Sequence, residues 1–391
     1  MSDVQVVVVG GGPAGAATAA RLAGVGVDVL VLDRARFPRE KACAEFLSPG
    51  TVDALDRLGL RDEAAAAGAW QHGMRIVSER ATLTLDYADG HRGLGVARTK
   101  LDTLVLGAAR SAGARVDEGV AVLGAIQEKS RVRGVRVRDA DGRVSTVTAE
   151  LVVAADGVHS PVARSLGLER PAPWPRRVGL VAHVDGVEPD ALGLMAVGSG
   201  RYCGVAAVGA GELSVGMALS DGLRRPSESV TALWERVVDS LPSVREALAG
   251  STRTSRIRGV APLARAVRRV SGPGYLLVGD AAGFVDPFTG EGVHRALRGA
   301  ELAADSTLEA LRRSDRHALH YPAARRSAFA AKHRAYLGLQ AVLAVPALLE
   351  YCLRRAAGRR HVAAALAGVF GDYLAPATLY HPRTLLELIR P

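Results

Sequence analysis

Three glycines near the start of the chain have the spacing of a loop that holds a pyrophosphate. Gly10, Gly12 and Gly15 form the pattern GxGxxG directly after the apolar run VQVVVV. In such a loop the first glycine makes a tight turn, the second lets the backbone approach a pyrophosphate, and the third lets a helix pack closely on a strand. Pro13 and Ala14 stand where that helix begins, a position that tolerates proline. The pattern therefore predicts a dinucleotide-binding site.

An acid further along the chain completes this predicted site. Asp33 follows the run VDVLVL, eighteen positions after Gly15, and is itself followed by Arg34. An acidic side chain at the end of the second strand can accept hydrogen bonds from both hydroxyls of an adenosine ribose, and it disfavours a phosphate there. The fingerprint alone does not distinguish NAD from FAD.

A second glycine-rich loop lies late in the chain, in GDAAGFVDPFTGEGV (residues 279–293). Asp280 closely follows the apolar run YLLV, and a carboxylate at the carboxyl end of a strand can accept hydrogen bonds from ribitol hydroxyls. Gly290, Gly292 and Val293 lead into a predicted helix. The free N–H groups and the positive dipole end of that helix suit the electron-rich pyrimidine edge of a reduced flavin. We therefore expect the two loops to hold opposite ends of one FAD molecule.

The segments around the first loop predict a strand–helix–strand unit. Residues 4–9 are β-branched except for Gln5, which is typical of a strand buried on both faces of a parallel sheet. An alanine-rich helix follows from Pro13 and ends at Gly24 to Gly26, before the second strand. No second complete GxGxxG follows a strand, so we expect an α/β fold with one dinucleotide-binding domain.

Composition and charge exclude several other classes of protein. The net charge of +10 arises mostly from arginines that are spread along the chain without a dense basic run, so we expect no nucleic-acid binding. Cys43, Cys203 and Cys352 form no CxxC pair and no metal-ligand spacing. Their scattered placement and the absence of a signal-peptide pattern at the N-terminus predict a cytoplasmic protein without a metal site.

The longest apolar stretch near the C-terminus is YLGLQAVLAVPALL (residues 336–349). It is too short to span a bilayer, and it contains Gln340 and Pro346. The stretch predicts a core helix that is kinked or restarted at the proline, and we expect no transmembrane segment.

Three motifs together resemble the flavoprotein hydroxylase superfamily, whose best-known fold is that of p-hydroxybenzoate hydroxylase. They are GxGxxG at Gly10, the stretch ADGVHSPVAR that contains Asp156 and Gly157, and the GD pair at Asp280, in the expected order within roughly residues 1–300. Within the superfamily, the chain is most similar to the geranylgeranyl-reductase-like branch. That similarity lies in GDAAGFVDPFTGEGV and in FPREKACAEFLSPGTVDALDRLGL (residues 37–60), which resembles the K-x-C-G segment of the branch.

The resemblance implies a Rossmann-type FAD-binding domain with an inserted antiparallel-sheet substrate domain and C-terminal helices. The FAD-binding domain is expected to comprise residues 1–70, 96–168 and 270–320. Residues 71–95 and 169–269, which contain alternating strand-like runs, are expected to form the substrate domain. Residues 321–391 are expected to be a helical segment.

The resemblance also implies which residues contact the cofactor. Arg98 stands just before a predicted helix, as the flavin-contacting arginine of the family does, and the stretch at Asp156 is associated with both FAD and NAD(P)H. The residues assigned to the cofactor are Gly10, Gly12, Pro13, Ala14, Gly15, Asp33, Arg34, Arg98, Asp156, Gly157, Asp280, Gly290, Gly292 and Val293. Cys43 and Tyr202 are assigned to the substrate side, although Ala44 replaces the usual glycine after Cys43 and a buried inert thiol is the alternative for Cys43.

No motif identifies a catalytic acid or base, but the resemblance places Glu45 and His294 in segments near the flavin. Glu45 could anchor the substrate, and His294 could orient a phenol proton for abstraction. The alternatives are an acid at a helix start for Glu45 and a solvated helix face for His294.

One departure from the family bears on the reaction. The reductases of the branch carry the motif Tyr-x-Trp-x-Phe-Pro, whereas this chain keeps Tyr202 but has Gly204 and Ala206 at the aromatic positions. The Trp-x-Trp-x-Ile-Pro segment of halogenases is also missing around the three tryptophans, which disfavours halogenation.

We therefore expect an FAD-dependent monooxygenase of secondary metabolism. It would use NAD(P)H and O2 to hydroxylate or epoxidise a small hydrophobic substrate, phenolic or polyketide-like. One alternative is a geranylgeranyl-reductase-like enzyme that reduces C=C bonds, and another is a flavoprotein redox partner without turnover of its own. Whether a separate reductase supplies the electrons stays open at this point.

Overall fold

The computed structural model describes residues 3–172, 174–209, 211–313, 317–318 and 320–389. Two large sheets, two small ones and the helices packed around them make up this part of the chain. The strands are β1 (Val4–Val9), β2 (Val29–Asp33), β3 (Phe46–Leu47), β4 (Ala69–Gln71), β5 (Gly73–Val77), β6 (Thr82–Asp86), β7 (Gly93–Gly95), β8 (Arg115–Glu118), β9 (Ala121–Glu128), β10 (Arg131–Arg138), β11 (Val144–Ala154), β12 (Glu169–Pro171), β13 (Arg177–Asp185), β14 (Leu192–Gly198), β15 (Arg201–Ala207), β16 (Glu212–Ser220), β17 (Thr252–Arg253), β18 (Arg258–Val260), β19 (Arg265–Val267), β20 (Ser271–Gly272) and β21 (Tyr275–Leu277).

The helices lie mainly in the first quarter and the last quarter of the chain. They are α1 (Pro13–Ala23), α2 (Pro49–Asp56), α3 (Arg61–Ala67), α4 (Arg98–Ser111), α5 (Pro161–Ser165), α6 (Val230–Asp239), α7 (Pro242–Ala247), α8 (Gly292–Arg312), α9 (Tyr321–Ala344), α10 (Pro346–Ala357), α11 (Arg360–Phe370) and α12 (Pro382–Ile389). Short 3-10 turns occupy Asp221–Leu223, Gly279–Ala282 and Pro376–Tyr380.

The first large sheet is built on the predicted strand–helix–strand unit. Its strand order is β20-β21-β11-β1-β2-β8, in which β21, β11, β1, β2 and β8 run parallel. Val6 and Val8 of β1 pack against α1, α4 and α8, whereas Val7 and Val9 pack against the hairpin β9–β10. Burial on both faces explains why β1 is almost wholly apolar and β-branched.

The second large sheet has the order β17-β13-β16-β15-β14-β5-β6, with β18 paired to β13. Its pairs are antiparallel except for β14 and β5, which run parallel. Leu233 and Trp234 of α6 cover one face by packing in the same cluster as Cys203 and Val205. The other face packs against α10 and α11. The α/β fold with an inserted, mainly antiparallel sheet and C-terminal helices is thus confirmed.

The apolar stretch near the C-terminus differs from its prediction. As expected, the helix ends and restarts at Pro346, because α9 and α10 meet there at an angle of 115°. The stretch is not simply a core helix, however, because only one side of it is buried, including Gln340, Leu343 and Leu349. None of the described helices could cross a bilayer alone; only α9 and α10 taken together reach the necessary length and apolar character.

One buried hydrogen bond joins the C-terminal helices to the first sheet. The hydroxyl of Tyr321, at the start of α9, donates to the carbonyl oxygen of Leu277 in β21 at 2.7 Å. Tyr321 is fully buried, and this burial raises the pKa of its hydroxyl to about 12, so it remains a neutral donor.

Removal of this hydroxyl is expected to destabilise the protein. Tyr321→Phe leaves the Leu277 carbonyl oxygen without this donor in an apolar environment, which costs about 1–3 kcal/mol in the free energy of unfolding. Urea denaturation of the purified protein measures the change. Tyr380→Phe, at a tyrosine that is largely exposed, is the matched control and is expected to leave the unfolding free energy unchanged. Equal stabilities of the two variants would contradict the role of this bond.

Candidate functional site

The GxGxxG loop forms a tightly packed cradle between β1 and α1. Gly10 has a φ of +98°, and a Cβ at this position would lie 2.5 Å from the carbonyl oxygen of Ala155. A Cβ on Gly15 would lie 1.9 Å from the carbonyl oxygen of Gly10. Both positions therefore exclude any side chain. Gly12 is different, because the nearest atom to its Cβ position belongs to the flexible side chain of Arg39, so its backbone faces an open cleft.

The side chain of Asp33 accepts hydrogen bonds from the backbone of this loop and of the segment after β2. One carboxylate oxygen accepts a hydrogen bond from the N–H of Gly11 at 2.7 Å, and the other accepts one from the N–H of Ala35 at 2.8 Å. Asp33 is buried at the end of β2, as its position in the sequence predicted, whereas Arg34 is exposed. Each oxygen of Asp33 keeps a second lone pair, so the carboxylate can also accept a ribose hydroxyl.

A cleft lies between the first and second sheets and brings most of the predicted cofactor residues together. Its empty volume is about 1290 Å³, open solvent at its mouth included. The predicted cofactor residues that line it are Gly12, Pro13, Ala14, Arg98, Gly157, Asp280, Gly290, Gly292 and Val293. Gly10, Gly15, Asp33, Arg34 and Asp156 do not line the cleft. All but the exposed Arg34 lie behind it in the cradle and in the strand ends that support it.

Asp156 has a buried carboxylate oxygen that lacks a hydrogen-bond partner among the described residues. The strand β11 ends just before it, and its Oδ2 accepts a long hydrogen bond of 3.4 Å from the N–H of Val162. Its Oδ1 has no hydrogen-bond partner among the described residues. Burial raises the pKa of Asp156 to about 6, with Ser160 and Val162 opposing that shift through hydrogen bonds. A buried acid of this kind is typical of a site that a polar ligand completes.

Arg98 is fixed at the floor of the cleft by a buried ion pair. Its guanidinium makes a bidentate contact with Asp102, at 2.7 and 2.8 Å, and Arg39 lies 3.1 Å from the same carboxylate. Cys43 also lines the cleft, so the structure places it on the side where the sequence predicted a substrate contact.

Two charged groups mark the junction between the cradle and the second glycine-rich loop. Asp280 lies in the 3-10 turn that follows β21, rather than at the end of the strand itself as predicted. The ammonium of Lys41 lies 3.8 Å from the Asp280 carboxylate. The side chain of Lys41 is 37% exposed. Partial desolvation, together with the charge of Arg98, lowers its pKa, while Asp280 opposes that shift. Sequence reasoning did not assign Lys41 to the site.

Glu45 is the acid that the structure places at the wall of the cleft. It is 2% exposed and has a φ of +60°, and it lies directly before β3 rather than at a helix start. Its Oε1 accepts the backbone N–H of Arg98 at 2.7 Å, and its Oε2 lies 2.5 Å from Nε2 of His183 in β13. The hydrogen bond to Glu45 raises the pKa of His183. His183 was not predicted, because nothing in the sequence links residues 138 positions apart.

The structure corrects the placement of His294. The sequence predicted this histidine beside the flavin, but it lines a separate polar cavity, between α2, α8 and α9, together with Glu291, Lys332 and Asp372. Its Nε2 is 3.9 Å from the Asp372 carboxylate. The reason is helical geometry, because successive residues of a helix point about 100° apart. Val293 therefore faces the cleft while His294 faces away.

Tyr202 lines the cleft and belongs to a buried network centred on Asp286. The Tyr202 hydroxyl donates to Asp286 at 2.6 Å, and the guanidinium of Arg177 lies 2.5 Å from the other oxygen of that carboxylate. Gln340 donates to Asp286 at 3.0 Å, and the hydroxyl of Tyr336 donates to its backbone carbonyl. Sequence reasoning missed this network. The one available signal was a glutamine, Gln340, inside the otherwise apolar stretch of residues 336–349.

The remaining wall of the cleft is apolar. The side chains on this wall come from β3, from the second sheet, from the segment after β18 and from the loop after Asp280. They are Phe46, Val181, Met195, Met217, Val260, Leu263, Phe284 and Pro287. Gly204 lies among them on β15, and the methyl group of Met195 packs 3.3 Å from the position that a Cβ would take there. The cleft therefore combines a polar cradle at one end with an apolar chamber at the other.

The cradle and the cleft define a flavoprotein. The backbone at Gly12 can bind a pyrophosphate, Asp280 can accept ribitol hydroxyls, and the start of α8 can face a ring system, so the residues present fit FAD. Residues 3–334 match the family of the FAD binding domain, and the chain belongs to that family. FAD would supply electron transfer to and from the substrate, and the protein would supply its binding and orientation.

Sequence comparison with known proteins indicates which members of the family the chain is similar to. The chain is 31% identical over 324 residues to menaquinone reductase from Mycolicibacterium smegmatis. The aligned region covers 77% of this chain and 75% of that relative. It is 32% identical over 324 residues to digeranylgeranylglycerophospholipid reductase 1 from Methanopyrus kandleri. That aligned region covers 80% of this chain and 82% of that relative. These similarities confirm the predicted geranylgeranyl-reductase-like branch.

Among solved structures, the chain is also similar to a myxobacterial chondrochloren halogenase that is FAD-dependent. The two superpose with a TM-score of 0.75 at 26% identity, covering 90% of this chain and 83% of the halogenase. Reductases and a halogenase thus share this architecture, so the fold alone does not identify the reaction.

The close packing of the cradle yields a test of FAD binding. Gly15→Ala places a methyl group against the Gly10 carbonyl oxygen and is expected to weaken FAD binding by at least about tenfold, because the loop must move away from the pyrophosphate. Gly107→Ala is the matched control, since it makes the same change inside α4 at a position with open space around it. Titration of apoprotein with FAD, followed by flavin fluorescence, measures both. Equal affinities would contradict the assigned cradle.

Proposed function

We propose that the protein is an FAD-dependent monooxygenase that uses NAD(P)H and O2 to hydroxylate a phenolic, largely apolar substrate. The observation that carries this proposal is the hydrogen-bonded pair of Glu45 and His183 at the wall of an otherwise apolar chamber. A phenol ring becomes more reactive toward oxygen transfer when its hydroxyl loses a proton. The pair provides an acceptor for that proton beside the predicted flavin position.

The two members of the pair have different tasks in this mechanism. Glu45 is held rigidly by the N–H of Arg98 and faces the cleft, so its carboxylate binds the substrate hydroxyl. His183 accepts the proton through Glu45. Its ring is partly exposed and lines a small side cavity with Glu40, Arg256 and Arg258, through which the proton reaches solvent. Both residues therefore act on the proton and neither is consumed.

The apolar chamber serves the same reaction by holding the ring and excluding water. Met195, Leu263 and Phe284 provide its apolar surface, and at Gly204 the methyl group of Met195 packs where the reductase motif would carry a tryptophan. Exclusion of water leaves the substrate ring as the group positioned for oxygen transfer. FAD would supply the electrons and activate the oxygen. The nicotinamide donor would bind without a domain of its own, since one fingerprint is present.

A second candidate is reduction of a C=C bond in a prenyl-like substrate. The observation that favours it is that the two relatives at 31% and 32% identity are both named reductases. The apolar chamber suits such a substrate equally well. In this reaction, the pair of Glu45 and His183 would deliver a proton to the substrate rather than remove one.

One experiment distinguishes these candidates. The purified FAD-loaded protein is given NADH or NADPH with candidate phenols and, separately, with polyprenyl compounds, in air containing isotopically labelled O2 and under nitrogen. The proposal expects NAD(P)H oxidation that the phenol stimulates and labelled oxygen in the product. Oxygen-independent saturation of a polyprenyl compound would instead establish the reductase. Failure of every substrate to stimulate oxidation would leave only a redox partner without turnover.

The pair also gives the reaction a characteristic pH dependence. Because Glu45 raises the pKa of His183, the imidazole becomes a neutral proton acceptor only above the ordinary histidine value of 6.5, and kcat/KM is expected to rise with pH through that higher value. Glu45→Gln removes the stabilisation of the charged imidazole, so the rising limb shifts to lower pH while kcat falls by about 100-fold.

Steady-state rates measured across the pH range, at constant flavin content, test this prediction. Glu63→Gln is the control, because it removes an exposed carboxylate of α3 that lines neither the cleft nor the side cavity, and it is expected to keep the wild-type profile. A Glu45→Gln variant with an unshifted profile and full activity would refute the assigned roles.

A further inference from the structure

The turn between α9 and α10 exposes an unusual amount of apolar surface. The exposed residues of this fully described stretch, from residue 337 to residue 351, are all apolar or aromatic and carry no charge. They are Leu337, Gly338, Ala341, Ala344, Val345, Pro346, Ala347, Leu348 and Tyr351. We name this set the apolar corner. Leu337, Val345, Leu348 and Tyr351 are 39%, 49%, 41% and 47% exposed, respectively. A continuous patch of this kind usually marks an interaction site.

The apolar corner is the outer side of a helix pair whose inner side is firmly packed. Leu343, Leu349 and Leu353 lie in the same buried cluster as Met195 and Tyr202, which also line the substrate cleft. Gln340 of α9 reaches the Asp286 network. The corner is therefore a rigid feature of the fold, and the substrate site lies directly behind it.

The charges around the corner indicate what it contacts. From residue 334 to residue 360 the chain contains five arginines and one acid, and Arg334 and Arg354 are the exposed residues that frame the apolar stretch. Within the stretch, the acid, Glu350, accepts the backbone N–H of Arg80 instead of facing outward with the corner. Trp174 lies at the same place, since it lines a surface cavity with Leu343 and Ala344. Apolar residues framed by arginines, with an aromatic side chain nearby, match the boundary between the headgroups and the acyl chains of an anionic bilayer.

We propose that the apolar corner docks the protein on the surface of an anionic phospholipid bilayer. Val345 and Leu348 enter the boundary between headgroups and acyl chains, while Arg334 and Arg354 contact lipid phosphates. A second copy of the chain is a poorer occupant, because a symmetric contact through the corner would bring the arginine rims of both copies together. Docking does not depend on which reaction the cleft catalyses. It would bring the protein to the phase in which apolar substrates accumulate.

Sedimentation with lipid vesicles tests the proposal. The FAD-loaded full-length protein is mixed with vesicles of phosphatidylcholine alone or of equal parts phosphatidylcholine and phosphatidylglycerol, and the bound fraction is measured without substrate. Binding is expected to the vesicles that contain phosphatidylglycerol and is expected to weaken at high salt. The double variant Val345→Asp, Leu348→Asp is expected to bind at least about tenfold more weakly. Arg354→Gln is expected to bind about fivefold more weakly.

A matched control separates docking from folding. Val25→Asp makes the same change at a residue that is 63% exposed in the turn after α1, and it is expected to bind vesicles like the wild type. All variants are expected to retain their bound flavin and their Tm, since the substituted residues are exposed. Absence of binding to phosphatidylglycerol vesicles would overturn the proposal, as would equal binding of the double variant and the wild type. A dimer that dissociates in the double variant, without any vesicle binding, would also overturn it.

Because this measurement uses no substrate, its result is independent of the reaction assay. Vesicle binding without substrate-stimulated NAD(P)H oxidation would refute only the proposed monooxygenase. Oxidation without vesicle binding would refute only the docking surface.

Discussion

The buried carboxylate of Asp286 is the constraint on which the arrangement of the site depends. A charge in the protein interior must be paired and hydrogen-bonded, because its loss of hydration is otherwise too costly. Asp286 meets this requirement with Arg177 from β13, Tyr202 from β15 and Gln340 from α9. The second sheet, the loop that borders the cleft and the C-terminal helices are thus joined at one point. The chamber has a defined shape because these three parts cannot shift separately without leaving that charge unpaired.

The sequence predicted well those features that depend on local pattern. The β-branched run of β1, the glycines of the cradle, the acid that ends β2 and the restart of the helix at Pro346 all follow from the geometry of neighbouring residues. Such features need no knowledge of distant contacts, because hydrogen-bonding pattern and steric fit within one loop determine them. The same holds for the overall fold, whose motifs occur in a recognisable order.

The features that escaped prediction are those that long-range packing creates. His183 and Glu45, and likewise Arg177 and Asp286, meet only because sheet and loop are folded together, and their sequence separations are 138 and 109 residues. The error at His294 has a different origin, since the start of α8 lies at the cleft but His294 is on the other side of that helix. The exposed face of α9 and α10 was missed for a similar reason. Apolar composition predicts burial, and only the folded chain shows which face finds a partner.

The order of strands in the first sheet has a consequence for synthesis of the chain. The central strand β1 emerges from the ribosome early, yet its neighbour β11 ends at Ala154 and the next strand, β21, ends at Leu277. For most of translation, the nascent chain therefore holds one or more apolar strands with an unsatisfied edge. Such edges are templates for pairing with other chains, and the first sheet closes its central edge only once the chain has been made as far as residue 277.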